Sequence, residues 1–195
     1  WSRGLGDVYK RQLHAGAITD PKLAWAGARA HNRWLEEFCA SNPPRRAGVA
    51  LVPITHGVEE SVKEIYALAD KPGIKGIMIP TMWHNAESYG HEKYDPIWQA
   101  CHETGLVVHT HSGEADAEAY NENMAQYMLE VAFWTHRPLW QFLLSGKFDK
   151  FPNFKYAPVE CGSWWLGDLL WKTDVMFGGT NWKVKKMSSR THGLI

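Results

Sequence analysis

The chain has 195 residues, 45% of them hydrophobic and 22% charged, which suits a single domain with a real core. Lys plus Arg equals Asp plus Glu at 21 each, and the formal net charge of zero gives no footprint for nucleic acid or an anionic membrane. No stretch approaches the roughly 18 consecutive apolar residues of a spanning helix, and the start lacks the basic-then-apolar pattern of a secretory signal.

Residues 1–12 mix Gly, Arg and Lys without a clean period and are expected to be a non-native or disordered leader, ahead of one domain over 13–195. Asp20-Pro21 is an N-cap followed by proline at the first helical position. Leu23, Ala26, Ala30, Trp34 and Phe38 then recur at helical spacing until Asn42-Pro43-Pro44. Residues 47–53, AGVALVP, read as a strand buried on both faces. A helix follows, with Val58, Val62, Ile65, Tyr66 and Ala69 on one face and Glu59, Glu60, Lys63 and Glu64 opposite.

The unit repeats. Residues 76–80, GIMIP, form a second buried strand, and Asp95-Pro96 caps a helix with Ile97, Ala100 and Cys101 inward. Residues 105–111, GLVVHTH, form a third strand. A longer helical stretch is expected from about Glu114, broken near Pro138 and closed at Gly146. Residues 154–160, FKYAPVE, form a fourth strand, after which Ser163 caps an apolar helix through Leu166, Leu169 and Leu170.

Strand–helix–strand crossovers of this length imply an α/β fold with parallel strands and helices packed outside. No Gly-x-Gly-x-x-Gly follows any strand, which removes the usual mark of a dinucleotide-binding sheet. The alternative is a closed barrel, of which a chain this long has room for about four or five of the eight units.

Ligands bind at the carboxyl ends of such strands. Those ends present His56, then Trp83 and His84, then His109 and His111, then Glu160 and Trp164. His109 and His111 alternate by two and share a face. His111, nearer the strand end, is the better candidate for a metal ligand, whereas His109 lies one layer deeper as a core or supporting residue. Glu160 ends an apolar strand, so its carboxylate must be ion-paired, metal-bound or at the rim. Cys161 reads as a buried thiol rather than a nucleophile. His56, Trp83, His84, Trp164 and Trp165 either line a substrate pocket or serve as packing and loop residues. Cys39, Cys101 and Cys161, far apart and without a Cys-x-x-Cys, fit a reduced, cytoplasmic protein.

Residues 32–39 (NRWLEEFC), 46–53 (RAGVALVP), 73–80 (GIKGIMIP), 94–98 (YDPIW), 105–113 (GLVVHTHSG) and 145–155 (SGKFDKFPNFK) resemble amidohydrolase-related proteins of the branch around aminocarboxymuconate-semialdehyde decarboxylase. The resemblance runs from about residue 20 to residue 175. It implies a TIM-type (β/α)8 barrel with a divalent metal, usually zinc, at its mouth, here reduced to about four central strand–helix units and truncated at both ends. The family's ligands are a His-x-His on the first strand, a His on the fifth, a His on the sixth and an Asp on the eighth. His111 carries over as the fifth-strand ligand, while Glu160 stands where the sixth-strand His would be.

The expectation is a fragment of an enzyme that hydrolyses or decarboxylates a small carbonyl or carboxylate substrate, through a metal-activated water or a metal-polarised group. The metal ligands would include His111 and Glu160, and the isolated piece would be inactive. The rival is a barrel without metal that acts as a binding or scaffolding protein, motivated by Glu160. Two open parallel edges would make the isolated chain a poor folder, and a homo-oligomer is one way to cover them.

Overall fold

The computed structural model describes residues 18–81, 87–112 and 123–178. The leader expected over 1–12, and the helix start expected near Glu114, lie outside these residues. In chain order the elements are α1 (Pro21–Ala40), β1 (Gly48–Leu51), α2 (Val58–Ala69), β2 (Ile74–Met78), α3 (Asp95–Thr104), β3 (Val107–His111), α4 (Met124–Leu144), α5 (Lys147–Lys150), β4 (Tyr156–Val159) and α6 (Leu166–Gly178).

The four strands are parallel and lie in sequence order, β1-β2-β3-β4. A doubly wound sheet reverses its strand order at a switch point, whereas a barrel adds each strand beside the last. The monotonic order is therefore that of a barrel arc. One face of the arc packs Ala50, Val52, Ile77, Ile79 and Val108 against Leu35, Ile65, Trp98 and Phe142 of the four long helices that cover it. The other face carries Val49, Leu51 and Met78, with His109 and His111 further along. Among the described residues, no helix is long and apolar enough to cross a membrane.

Asp20 caps α1 as expected, its carboxylate accepting from Lys22 N at 2.8 Å and Leu23 N at 3.4 Å. The helix nevertheless buries a different stripe from the expected one. Ala24, Trp25, Ala28, Asn32, Leu35 and Cys39 face the sheet, while Leu23, Trp34 and Phe38 are exposed. Asn32 anchors this orientation, since its amide both donates to the Leu51 carbonyl at 2.9 Å and accepts from Leu51 N at 2.7 Å. In α2, Tyr66 likewise turns outward to donate to Glu103, and Leu68 is buried in the core.

Two further local expectations are corrected. Asp95 is the first helical residue of α3 rather than its cap, and its carboxylate binds Lys147 and Lys150, the latter at 2.6 Å. Pro138 does not break α4, which runs through it. The Thr135 carbonyl, three residues before the proline, accepts from Thr110 Oγ1 at 2.6 Å and from the Tyr156 hydroxyl at 2.9 Å. Two strand hydroxyls thus tie α4 to β3 and β4. Burial pushes the Tyr156 phenol pKa up, which keeps that donor protonated.

Candidate metal centre

β3 delivers His111 to the carboxyl edge, where the ring is buried with 6% of the side chain exposed. Its Nδ1 lies 2.6 Å from the Ser112 carbonyl. A carbonyl only accepts, so Nδ1 carries a proton. Nitrogen-15 spectra of the imidazole are expected to show a protonated Nδ1. An unprotonated Nδ1 would remove the Ser112 carbonyl as its partner.

Glu160 meets His111 across the β3–β4 pair, with Oε2 standing 3.5 Å from Nε2. Strand alternation would not produce this meeting. His111 pairs with Val159, so the next residue of a regular β4 would point to the opposite face. Glu160 instead has φ of 59°, the only positive φ among described non-glycine residues, and Gly162 follows at 63°. The left-handed turn re-aims the carboxylate over β3. Such a conformation costs a non-glycine residue about 1–3 kcal/mol and persists where its surroundings impose it. Ser112 Oγ donates to the same Oε2 at 2.6 Å, a bond between residues 48 apart in sequence.

His109 lies one layer below. Its ring Nε2 sits 2.8 Å from where a Cβ on Gly76 would be, so β2 must have glycine there. Burial lowers the His109 pKa, opposed by a hydrogen bond to the Ala157 backbone. Thr81 Oγ1 donates to the His111 carbonyl at 2.7 Å and ties the end of β2 to that of β3.

The remaining candidates divide. Trp164 follows Glu160 by four residues, packs against Gly162 and is 80% exposed. Trp165 is buried, its Nε1 donating to the Cys161 carbonyl at 2.9 Å, and stacks on His136 at 3.8 Å between centroids. Burial raises the Cys161 pKa, the reverse of what a nucleophilic thiol needs. His56 is not brought to His111: it follows β1, with β2 intervening, and its Nε2 donates to the Ile18 carbonyl at 2.8 Å. It lines a shallow cavity with Trp25, Arg29 and Glu60. Trp83 and His84 lie outside the described residues.

Sequence reasoning missed Ser112, because only the fold brings it to Glu160. Among the described residues, no group of three His, Cys, Asp or Glu side chains could hold a metal ion. His111 and Glu160 are a pair of donors, where a catalytic zinc usually has three protein ligands.

No curated protein matches the chain. Solved structures do. The 5-carboxyvanillate decarboxylase of Sphingomonas paucimobilis is similar at TM-score 0.73 and 22% identity, over 90% of this chain and 53% of that one. The 5-carboxyvanillate decarboxylase of Novosphingobium aromaticivorans, complexed with manganese and 4-hydroxy-3-methoxy-5-nitrobenzoic acid, has the same TM-score and identity, over 94% and 53%. The 2,6-dihydroxybenzoate decarboxylase of Rhizobium is similar at TM-score 0.68 and 19% identity, over 91% and 58%. The chain thus spans little more than half the length of these proteins, and the likeness is one of fold. The amidohydrolase family profile matches residues 5–182, nearly the whole sequence, and the chain belongs to that family.

Proposed function

We propose that this chain carries part of the metal centre of an amidohydrolase-family carboxy-lyase acting on a small aromatic carboxylate, with His111 and Glu160 as two of the ligands. The observation that carries the reading is the 3.5 Å between His111 Nε2 and Glu160 Oε2. Two donors each about 2.1 Å from one ion, at a tetrahedral angle, stand about 3.4 Å apart. A cation placed between the imidazole nitrogen and the carboxylate oxygen would be attracted by both, and the separation accommodates one. The nitrogen–oxygen donor set suits zinc or manganese.

A divalent ion held there would neutralise and polarise a substrate carboxylate or carbonyl. The chain's own residues supply the frame. His111 is fixed in its tautomer by the Ser112 carbonyl, Glu160 brings a negative charge to the rim, and the exposed Trp164 indole offers a flat face on which an aromatic acid could stack. The decarboxylase neighbours favour a lyase over a hydrolase. That no described group of three ligands exists favours the second reading, a metal-free binding barrel.

Manganese titrated into the chain and followed by electron paramagnetic resonance separates the two. Binding weakened by at least about tenfold in His111→Ala supports the metal centre. Identical uptake by wild type and His111→Ala removes His111 from it. No uptake, together with tryptophan quenching by 2,6-dihydroxybenzoate that is lost in Trp164→Ala, supports the binding barrel.

A further inference from the structure

Glu160 presents a problem that the metal reading leaves open. Its side chain is 67% exposed, with several free torsions, and a floppy carboxylate makes a poor ligand because each binding event must first order it. The left-handed backbone aims the Cβ but does not hold the carboxylate. Ser112 is the residue that does. It is buried, and it makes two bonds of different kinds: its backbone carbonyl accepts from His111 Nδ1 at 2.6 Å, and its hydroxyl donates to Glu160 Oε2 at 2.6 Å. The same Oε2 is the atom 3.5 Å from His111 Nε2.

We infer that Ser112 is a positioning residue for the metal centre, fixing the imidazole through its main chain and the substituted sixth-strand carboxylate through its hydroxyl. This rests on the reading of His111 and Glu160 as ligands. The two roles are separable by mutation. Removing the hydroxyl frees Glu160 but leaves the carbonyl, and therefore the His111 tautomer, in place. A hydroxyl bonds an ionised carboxylate more strongly than a neutral amide, so the bond from Ser112 is strongest with glutamate at 160.

The test uses manganese alone, titrated by electron paramagnetic resonance into the wild-type chain, Ser112→Ala, Ser112→Thr, Glu160→Gln and the double variant Ser112→Ala/Glu160→Gln. Thermal midpoints are recorded for each. Ser112→Ala is expected to lower affinity about tenfold, with an unchanged midpoint and an unchanged Nδ1–H signal from His111. Ser112→Thr, which keeps the hydroxyl, is expected to restore binding. In the Glu160→Gln background, removing the serine hydroxyl is expected to add little, because the carboxylate through which it acts is gone.

Wild-type affinity in Ser112→Ala overturns the inference while leaving the metal reading intact. So does a loss of equal size in both backgrounds, which would mark a general structural role. No manganese uptake by the wild type, or uptake unaltered by Glu160→Gln, overturns the ligand pair itself and the inference with it.

Discussion

Replacing Trp98 with alanine is expected to cost about 3–5 kcal/mol, the usual range for emptying a buried tryptophan site. Trp98 is fully buried in α3, at the centre of the helix-covered face. Its ring meets Phe142 at 5.0 Å, Phe154 at 5.4 Å and Tyr89 at 5.9 Å between centroids, mostly edge-on or tilted. These contacts join α3, α4 and the segments before α3 and β4, so no single element can close the resulting cavity. Its Nε1 also donates to the Tyr89 carbonyl at 3.0 Å, and truncation removes that buried bond, an added cost of about 0.5–1.5 kcal/mol. Domains are stable by only about 5–15 kcal/mol, so the variant is expected to have lost its cooperative urea transition and near-ultraviolet circular dichroism. Trp98→Phe, which keeps a ring and loses the donor, should retain a transition at lower urea. A Trp98→Ala midpoint equal to wild type would mean that these rings do not form the core.

Stability is expected to fall steeply as pH drops from about 6.5 to about 4, and His136 is the main reason. The residue sits in α4 among Phe133, Trp140 and Trp165, and its Nδ1 has no hydrogen-bond partner among the described residues. Burial lowers its pKa from 6.5 to about 4, against a weaker upward pull from the Ala132 backbone. An unfolded chain binds the proton at about pH 6.5, whereas the folded chain refuses it until about pH 4. Between those values the unfolded state holds more protons, so stability decreases with falling pH and the loss levels off below pH 4. At about 1.4 kcal/mol per unit, the loss is on the order of 3 kcal/mol. Burial lowers the pKa of His31 and His109 as well, which adds to the effect with the same sign. The comparison that isolates His136 is the denaturation midpoint of wild type and His136→Phe at pH 7.5 and pH 4.5. Phenylalanine keeps the stack on Trp165 and cannot titrate, so its midpoint should fall less. Equal falls in the two proteins would show that His136 is not held neutral.

Much of the architecture was legible because it is written in short-range periodicity. Apolar runs such as residues 47–53 and 105–111, punctuated by proline and glycine, mark strands whatever their partners, and helices between them force a parallel sheet. Asp20-Pro21 marked a helix start for an equally local reason: the cap bonds reach only two and three residues along the chain. His111 at the end of a strand was readable too, since position along a strand needs no knowledge of its neighbours.

The tertiary structure decided whatever depends on a partner far along the chain. The first helix has two apolar stripes, and periodicity cannot choose between Trp34 with Phe38 and Trp25 with Leu35. The choice falls to Asn32, which bonds β1 nineteen residues away. Pro138 reads as a helix break, yet α4 runs through it, and Thr110 and Tyr156 from two strands bind the nearby Thr135 carbonyl. At the candidate site, alternation along β4 would turn Glu160 away from His111. A residue type does not announce a positive φ, least of all a glutamate, and only the backbone at the strand end, with Ser112 bonded across 48 residues, brings that carboxylate to the histidine.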